Sequence, residues 1–167
     1  MSSQLPSDYR LQVGSTLDRA LLVKFMQRTY QELHPTGDLT HLAVTIEQYL
    51  SNQTPIWWVE PSQVISTGGL PSSRSLRQPI AGLWLGNAID QASGDRHAHI
   101  FLLYVMPNHR RKGIGAALVR HAENWAKERG DRQIGLQVFT SNQPALQLYQ
   151  TLGYQTQSLW MVKSLEL

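Results

Sequence analysis

The sequence predicts a mixed α/β fold, and three observations carry the prediction. Strand-like and helix-like stretches follow one another as strand, helix, helix, three strands, helix, strand, helix, strand. The run His99 to Met106 is apolar apart from His99 and the Tyr104 hydroxyl, and Pro107 bounds it, which suits a strand covered on both faces. It passes through the Arg- and Gly-rich turn Arg110 to Gly115 into a helix with Ile114, Leu118, Ala122 and Trp125 on one side. Ile134, Leu136 and Val138 then alternate, so His99 to Phe139 reads as a right-handed parallel crossover.

Composition narrows the function classes. The chain has 167 residues, 41% hydrophobic and 16% charged, with a net charge of +3. This is enough for a single domain spanning 1–167, since a domain of about 150 residues buries roughly 68–70% of its unfolded surface. The mild positive charge favours anionic ligands, but there is no basic run of the kind that binds nucleic acid. With no cysteine, disulfides, zinc–thiolate sites and cysteine nucleophiles are excluded, and no metal site is expected. The first residues, MSSQLPSDYR, lack the basic and apolar regions of a signal peptide. No apolar run of about 18 residues suggests a membrane helix, so the expectation is a cytoplasmic protein without nucleic-acid or membrane partners.

The remaining elements follow from local patterns. Tyr9 to Val13 is a short first strand, and Ser15 or Thr16 caps a helix carrying Leu17, Ala20, Leu21, Lys24, Phe25, Arg28 and Leu33. His34-Pro35-Thr36-Gly37-Asp38 breaks it, and Thr40 to Leu50 forms a second helix. Ile56 to Val59 is an aromatic and β-branched strand. Pro61 to Pro79, with five serines and three prolines, is a long loop, either a mobile hairpin connection or an active-site lid. Ile80 to Ile89 is the next strand, where Gly82 and Gly86 mark a bulge or close backbone contact. After the crossover, Asn142 or Gln143 starts a helix with Pro144 in its first turn and Ala145, Leu148, Tyr149 and Leu152 inward. Gly153 stops it, and Tyr154 to Val162 is a last strand.

The turn before the third helix is the sharpest functional signal. A glycine-rich turn opening a helix leaves backbone N–H groups unpaired at the positive end of the helix dipole, ready for a phosphate or pyrophosphate. Arg110, Arg111 and Lys112 stand beside it, and Gly113 and Gly115 permit close approach of an anion.

At Arg110, Gly113 and Gly115 the sequence resembles the acyl-CoA-binding signature of the GNAT superfamily of N-acetyltransferases, whose pattern is Arg or Gln, two residues, Gly, one residue, Gly or Ala. A second pattern of that superfamily matches at Asn142, Ala145, Leu148-Tyr149 and Gly153-Tyr154. Residues from about 97 to 155 carry these matches; the N-terminal half agrees in element order alone. The resemblance implies a central twisted mixed sheet flanked by helices, with two parallel strands that splay apart around acetyl-CoA. It implies that the pyrophosphate lies on Arg111, Lys112, Gly113, Ile114 and Gly115, beside Arg110. It further implies that the pantetheine runs along Leu103, Tyr104 and Val105, and that Asn142, Ala145 and Tyr149 complete the cofactor site.

The activity so implied is direct transfer of the acetyl group of acetyl-CoA to a primary amine of a small molecule or peptide. A backbone N–H near Val105 would meet the oxyanion. Tyr149 would protonate the departing sulfur, or it is a core tyrosine. Asn142 would contact the pantetheine or a water, or it is a plain helix cap. Many relatives carry a carboxylate base on the strand before the turn; this chain does not. His99, then His97, are the nearest titratable groups there, with Tyr104, Glu32, His34, Asp38 and Glu60 behind them. The missing acid also supports a competing reading, a non-catalytic, regulatory module that binds acyl-CoA. Acceptor selection in this fold points to Tyr30, Glu32, His34, Asp38, Trp57, Trp58 and Trp84. Trp57 and Trp58 alternate across a strand, one expected in the core and the other at the acceptor cleft or a partner subunit. Homodimers are common in the superfamily and belong with acetyl-CoA and the amine acceptor as implied partners.

Overall fold

The computed structural model describes residues 4–62 and 78–166. The expected loop or lid at 61–79 falls largely outside them. Residues up to Gln137 and residues from Val138 form two compact units. The first contains a sheet in the order β1-β2-β3-β4-β5. Its strands are β1 (Tyr9–Val13), β2 (Ile56–Pro61), β3 (Ala81–Ile89), β4 (Arg96–Val105) and β5 (Ile134–Leu136). β1 to β4 pair antiparallel, and β4 and β5 pair parallel. The sheet is therefore mixed, as the sequence predicts.

Helix α1 (Arg19–Leu33) follows a 3-10 turn at Thr16–Asp18, and α2 (His41–Tyr49) follows α1. Ser15 caps as expected: its hydroxyl accepts from the Leu17 N–H at 3.2 Å, and Asp18 accepts from the Ser15 N–H at 2.8 Å. The buried side of α1 is Leu22, Phe25 and Met26, with Leu42 and Ile46 buried on α2. Leu17, part of the helical pattern in the sequence, falls in the 3-10 turn before α1 and is 92% exposed.

The two sheet faces are set by alternation in β2. Trp58 packs edge-on against Phe25 of α1 at 5.1 Å and donates its indole N–H to Asp18 at 3.1 Å. Trp57 points the other way, onto His121 at 4.6 Å and Trp125 at 6.3 Å. Both latter residues belong to α3 (Ile114–Glu128), which buries Ile114, Ala117, Leu118, Val119, Ala122 and Ala126. Helices thus cover both faces, and β4 lies between them as the strand read from its apolar run.

The second unit holds α4 (Gln143–Thr151). Asn142 caps it, Pro144 lies in its first turn, and Gly153 follows it with φ 93°. Two expectations fail nearby. The strand expected from Ile134 to Phe139 ends at Leu136, and the strand expected from Tyr154 to Val162 does not form. An extended segment becomes a strand only through a neighbouring ladder, and among the described residues the segment after Gly153 has none.

Candidate acyl-CoA site

The strand β4 changes partners partway along. Its ladder to β3 runs from Arg96 opposite Ile89 to Val105 opposite Ala81, and slips between Leu85–Ile100 and Trp84–Leu102. Phe101 is therefore a bulged residue with no counterpart on β3. The parallel ladder to β5 covers only Ala98, His99 and Ile100. Bulge and end of ladder coincide, so from Phe101 to Val105 the β5-facing edge of β4 carries no strand ladder among the described residues. The glycine expectation holds here too: a Cβ on Gly86 would stand 1.8 Å from the Phe101 ring, and one on Gly82 would stand 2.4 Å from Trp58.

At the C-terminal end of β4, the Met106 N–H donates to Ile80 C=O at 2.8 Å, and Pro107–His109 make a 3-10 turn. Arg111 and Gly113 then adopt left-handed backbone, φ 62° and 82°. Gly113 is the N-cap of α3, and the Ala117 N–H donates to its carbonyl at 3.0 Å. The N–H groups of Ile114, Gly115 and Ala116 precede that bond and have no carbonyl one helical turn back. Left-handed residues in such a turn let successive N–H groups converge on an anion. Nothing lies within 4 Å of where a Gly113 Cβ would be, so the approach is open.

The three cations of the turn do different work. Arg110 folds back: its Nε donates to Val105 C=O at 2.8 Å, and one terminal nitrogen donates to both Glu32 oxygens at 2.8 Å. Its guanidinium also lies 5.4 Å from the centre of the Tyr104 ring. Lys112 donates to the Tyr9 hydroxyl at 3.3 Å, and that hydroxyl lies 2.8 Å from His109 Nδ1. Arg111 is exposed. Glu32 also accepts from the Tyr104 hydroxyl at 2.8 Å. Burial, followed by the bond to Glu32 and its charge, pushes the Tyr104 phenol above its usual pKa. Arg28, Gln31, Glu32, Tyr104, Pro107 and His109 line a cleft of about 480 Å³ at this end of β4.

The two candidate bases sit at the other end of the strand. His97 is buried, with Nδ1 2.9 Å from Ala98 C=O. His99 is half-buried, its ring 6.5 Å from that of His97 and 5.2 Å from Phe101. Both rings lie over Gly135 of β5, where a Cβ would be 3.0 Å from His97 Cε1 and 3.7 Å from His99 Nδ1. Burial, and secondarily the charge of His97, lower the pKa of His99. A neutral imidazole at physiological pH can accept a proton.

Sequence reasoning missed one group in this region. Asp131, its side chain 1% exposed, accepts from the Ala98 N–H at 2.7 Å and pairs with Arg129 and Arg96. Burial raises its pKa, but the Arg129 bonds and charge outweigh that and hold the carboxyl below its usual range. Nothing in its linear spacing announces the role.

In the second unit, Asn142 Oδ1 accepts from the Ala145 N–H at 3.3 Å, so it caps α4 as its plainer reading has it. Ala145 and Tyr149 are one helical turn apart. Tyr149 is buried, its ring 5.5 Å from that of Tyr154, and burial pushes its phenol up to about 12. It is a neutral O–H at any physiological pH.

Several acceptor and base candidates lie elsewhere. Trp57, Trp58 and Trp84 are all at most 4% exposed, so neither member of the pair faces an open cleft; large aromatics opposite covering helices are drawn into the core. Glu60 is held by Arg10, its cross-strand partner, at 2.9 Å. Asp38 is spent on the Thr40 N–H at 3.0 Å, which lowers its pKa. His34 terminates α1, its N–H on Tyr30 C=O. Tyr30 packs edge-on to His41 at 6.5 Å. Among the described residues no group of three or more His, Asp or Glu side chains could hold a metal, and no helix is long and apolar enough to cross a membrane.

Known proteins resemble this chain over part or most of its length. Streptothricin acetyltransferase of Streptomyces lavendulae is 37% identical over 67 residues, covering 40% of this chain and 35% of that protein. N-acetyltransferase family 8 member 3 of Mus musculus is 28% identical over 142 residues, covering 84% of this chain and 57% of that protein. The chain thus spans about half the length, or less, of these curated relatives. A crystal structure of a predicted acetyltransferase with acetyl-CoA from Clostridium acetobutylicum superposes with a TM-score of 0.68, at 20% identity, over 93% of this chain and 96% of that one. The model of the acetyltransferase (GNAT) family matches residues 21–154, most of the sequence. The chain belongs to the acetyltransferase (GNAT) family.

Proposed function

We propose that the protein is an acetyl-CoA-dependent N-acetyltransferase, a single catalytic domain over residues 1–167, that moves the acetyl group directly to a primary amine. The observation that carries the reading is the β4–turn–α3 arrangement. A strand edge released from its ladder after Ile100 leads into a left-handed Gly113 and the open first turn of α3. The first suits a pantetheine arm paired along Leu103, Tyr104 and Val105; the second suits a pyrophosphate on Arg111 to Gly115. Arg110, bound to Val105 C=O and Glu32, would set the turn against the strand end. The family membership and the acetyl-CoA named with the Clostridium structure support the same ligand.

The amine nitrogen would attack the thioester carbonyl, forming C–N and breaking C–S. His99 would take the amine proton, directly or through water, because its lowered pKa keeps it neutral. Tyr149 would give its proton to the departing thiolate; burial keeps the phenol protonated, although its raised pKa makes it the weaker acid toward a thiolate. Backbone N–H groups at the start of the released edge, beside the Phe101 bulge and His99, would meet the oxyanion. Asn142 and Ala145 would border the cofactor at the start of α4. The names of relatives include streptothricin among acetylated substrates, which supports a small molecule or peptide amine as acceptor. A cytoplasmic setting is proposed with this reading, because acetyl-CoA is an intracellular metabolite.

The test is purified protein with acetyl-CoA and a panel of primary amines, following free CoA thiol. Amine-dependent thiol release is expected. Calorimetric binding of acetyl-CoA with no release from any amine would instead favour a non-catalytic acyl-CoA-binding module.

A further inference from the structure

We infer that the cleft at the C-terminal end of β4 holds a carboxylate of the acceptor on Arg28, so that the amine acetylated by this protein also carries an acid group. The inference rests on the acetyltransferase reading above and names the class of its acceptor. Arg28 is half-buried, and its guanidinium lies 5.7 Å from the centre of the Phe25 ring. Elsewhere Arg10, Arg19, Arg96, Arg110, Arg129 and Arg132 each pair with a carboxylate. Arg28 has no such partner among the described residues. Those residues include every Asp and Glu of the chain, because 1–3, 63–77 and Leu167 contain neither. A guanidinium stays charged, is weakly hydrated and matches a carboxylate with two parallel N–H groups. Leaving it partly desolvated without an anion is costly, and a ligand acid removes that cost.

The surroundings keep the same polarity. Glu32 is the one carboxylate lining the cleft, and Arg110 and the Tyr104 hydroxyl already engage it. A second cleft, of about 290 Å³, shares Arg28 and Met106 with the first and adds Lys24. An anion entering either one meets cations and no unengaged acid. A pyrophosphate on the first turn of α3 would leave this place open. Tyr104 packs edge-on against Phe25 of α1 at 5.6 Å, on the sheet face that α1 covers, whereas α3 lies against Trp57 on the other face. Reach bounds the acceptor. Phe101, where the β4 edge is released, and Tyr104 are three residues apart, roughly 10 Å at the rise of a strand. An acid at about that distance from the amine is the C-terminal carboxylate of an extended peptide of about three residues, or the carboxylate of a long-chain amino acid.

The experiment compares matched acceptors, triglycine with triglycinamide and ε-aminocaproate with its primary amide, by release of CoA thiol from acetyl-CoA. It uses the parent, Arg28→Ala and Arg28→Lys. The parent should prefer the acid of each pair by about tenfold or more in kcat/KM. Arg28→Ala should remove that preference mainly by raising KM for the acid, with KM for acetyl-CoA unchanged. Arg28→Lys should restore part of it, keeping the charge but not the fork. The parent's ratio and Arg28→Lys decide the matter even if Arg28→Ala does not fold. Turnover of acids and amides at equal rates would overturn this inference and leave the acetyltransferase reading standing. So would a preference that survives Arg28→Ala, or a raised KM for acetyl-CoA in that variant, which would assign Arg28 to the cofactor. No thiol release from any amine would overturn the acetyltransferase reading and this inference with it.

Discussion

The Tyr104 hydroxyl donates to the Glu32 carboxylate at 2.8 Å, tying the last turn of α1 to the end of β4 where the parallel ladder has already stopped. Arg110 completes the link by reaching the same carboxylate and the Val105 carbonyl. Three elements meet on one side chain that is 78 residues away in sequence from Arg110. Glu32→Ala leaves the buried Tyr104 O–H without its acceptor, which costs about 1–3 kcal/mol. For a chain of this size that lowers Tm by about 2–4 °C per kcal/mol. Glu32→Gln keeps an acceptor and should lose under half as much, as calorimetry of the two variants would register. Equal losses would mean that charge pairing with Arg110, not the phenol bond, holds the junction.

Gly113 stands at φ 82° with open space where a Cβ would project. An L-residue there carries the left-handed penalty of about 1–2 kcal/mol and intrudes on the approach to the α3 N-terminus. Gly113→Ala should therefore weaken acetyl-CoA binding by isothermal calorimetry more than tenfold while destabilising the fold only modestly. Undiminished affinity would remove the pyrophosphate from this turn.

How much could be read from the sequence follows from the range of the interactions. The strand–turn–helix core, the Ser15 and Asn142 caps and the Gly153 stop are set by neighbours within a few residues, and each appears where expected. The Glu32–Tyr104–Arg110 junction and the burial of Asp131 under the Ala98 N–H join distant segments, so no local period carries them. Core packing, the better expectation for each tryptophan singly, holds; only the placing of one of Trp57 and Trp58 outside the core fails, because alternation reveals that they face opposite sides but not that both sides are covered. The last strand failed for the converse reason: apolar, β-prone residues mark a segment able to pair but do not supply the neighbour.

Gly86 and Phe101 form a pair that the bulge creates. A Cβ on Gly86 would stand 1.8 Å from the Phe101 ring, which also contacts Trp84 at 4.9 Å and Tyr49 at 5.3 Å. Gly86→Ala should cost about 1–3 kcal/mol through overpacking. Adding Phe101→Leu should recover part of that loss, because the smaller side chain vacates the space. A double-mutant cycle by urea denaturation tests it; strict additivity of the two changes would mean that the ring does not block the glycine.

His99, His109 and His121 all have pKa values lowered by burial, with His97, Lys112 and Glu128 as the respective secondary influences, the last acting upward. A histidine whose folded pKa lies below its unfolded value of about 6.5 disfavours folding when protonated. Its stabilising contribution is fully present above pH about 6.5 and is lost as the pH falls through that value toward the folded pKa. Tm should therefore decline from neutral to mildly acidic pH, and His99→Gln should flatten part of that decline. The same substitution separates the structural from the chemical role. If His99 is the base, kcat/KM in the parent falls on the acid side with an apparent pKa below the ordinary imidazole value, and His99→Gln removes that limb along with most of the turnover. Retention of turnover with an unchanged acid limb would reject His99 as the base and leave only its effect on Tm.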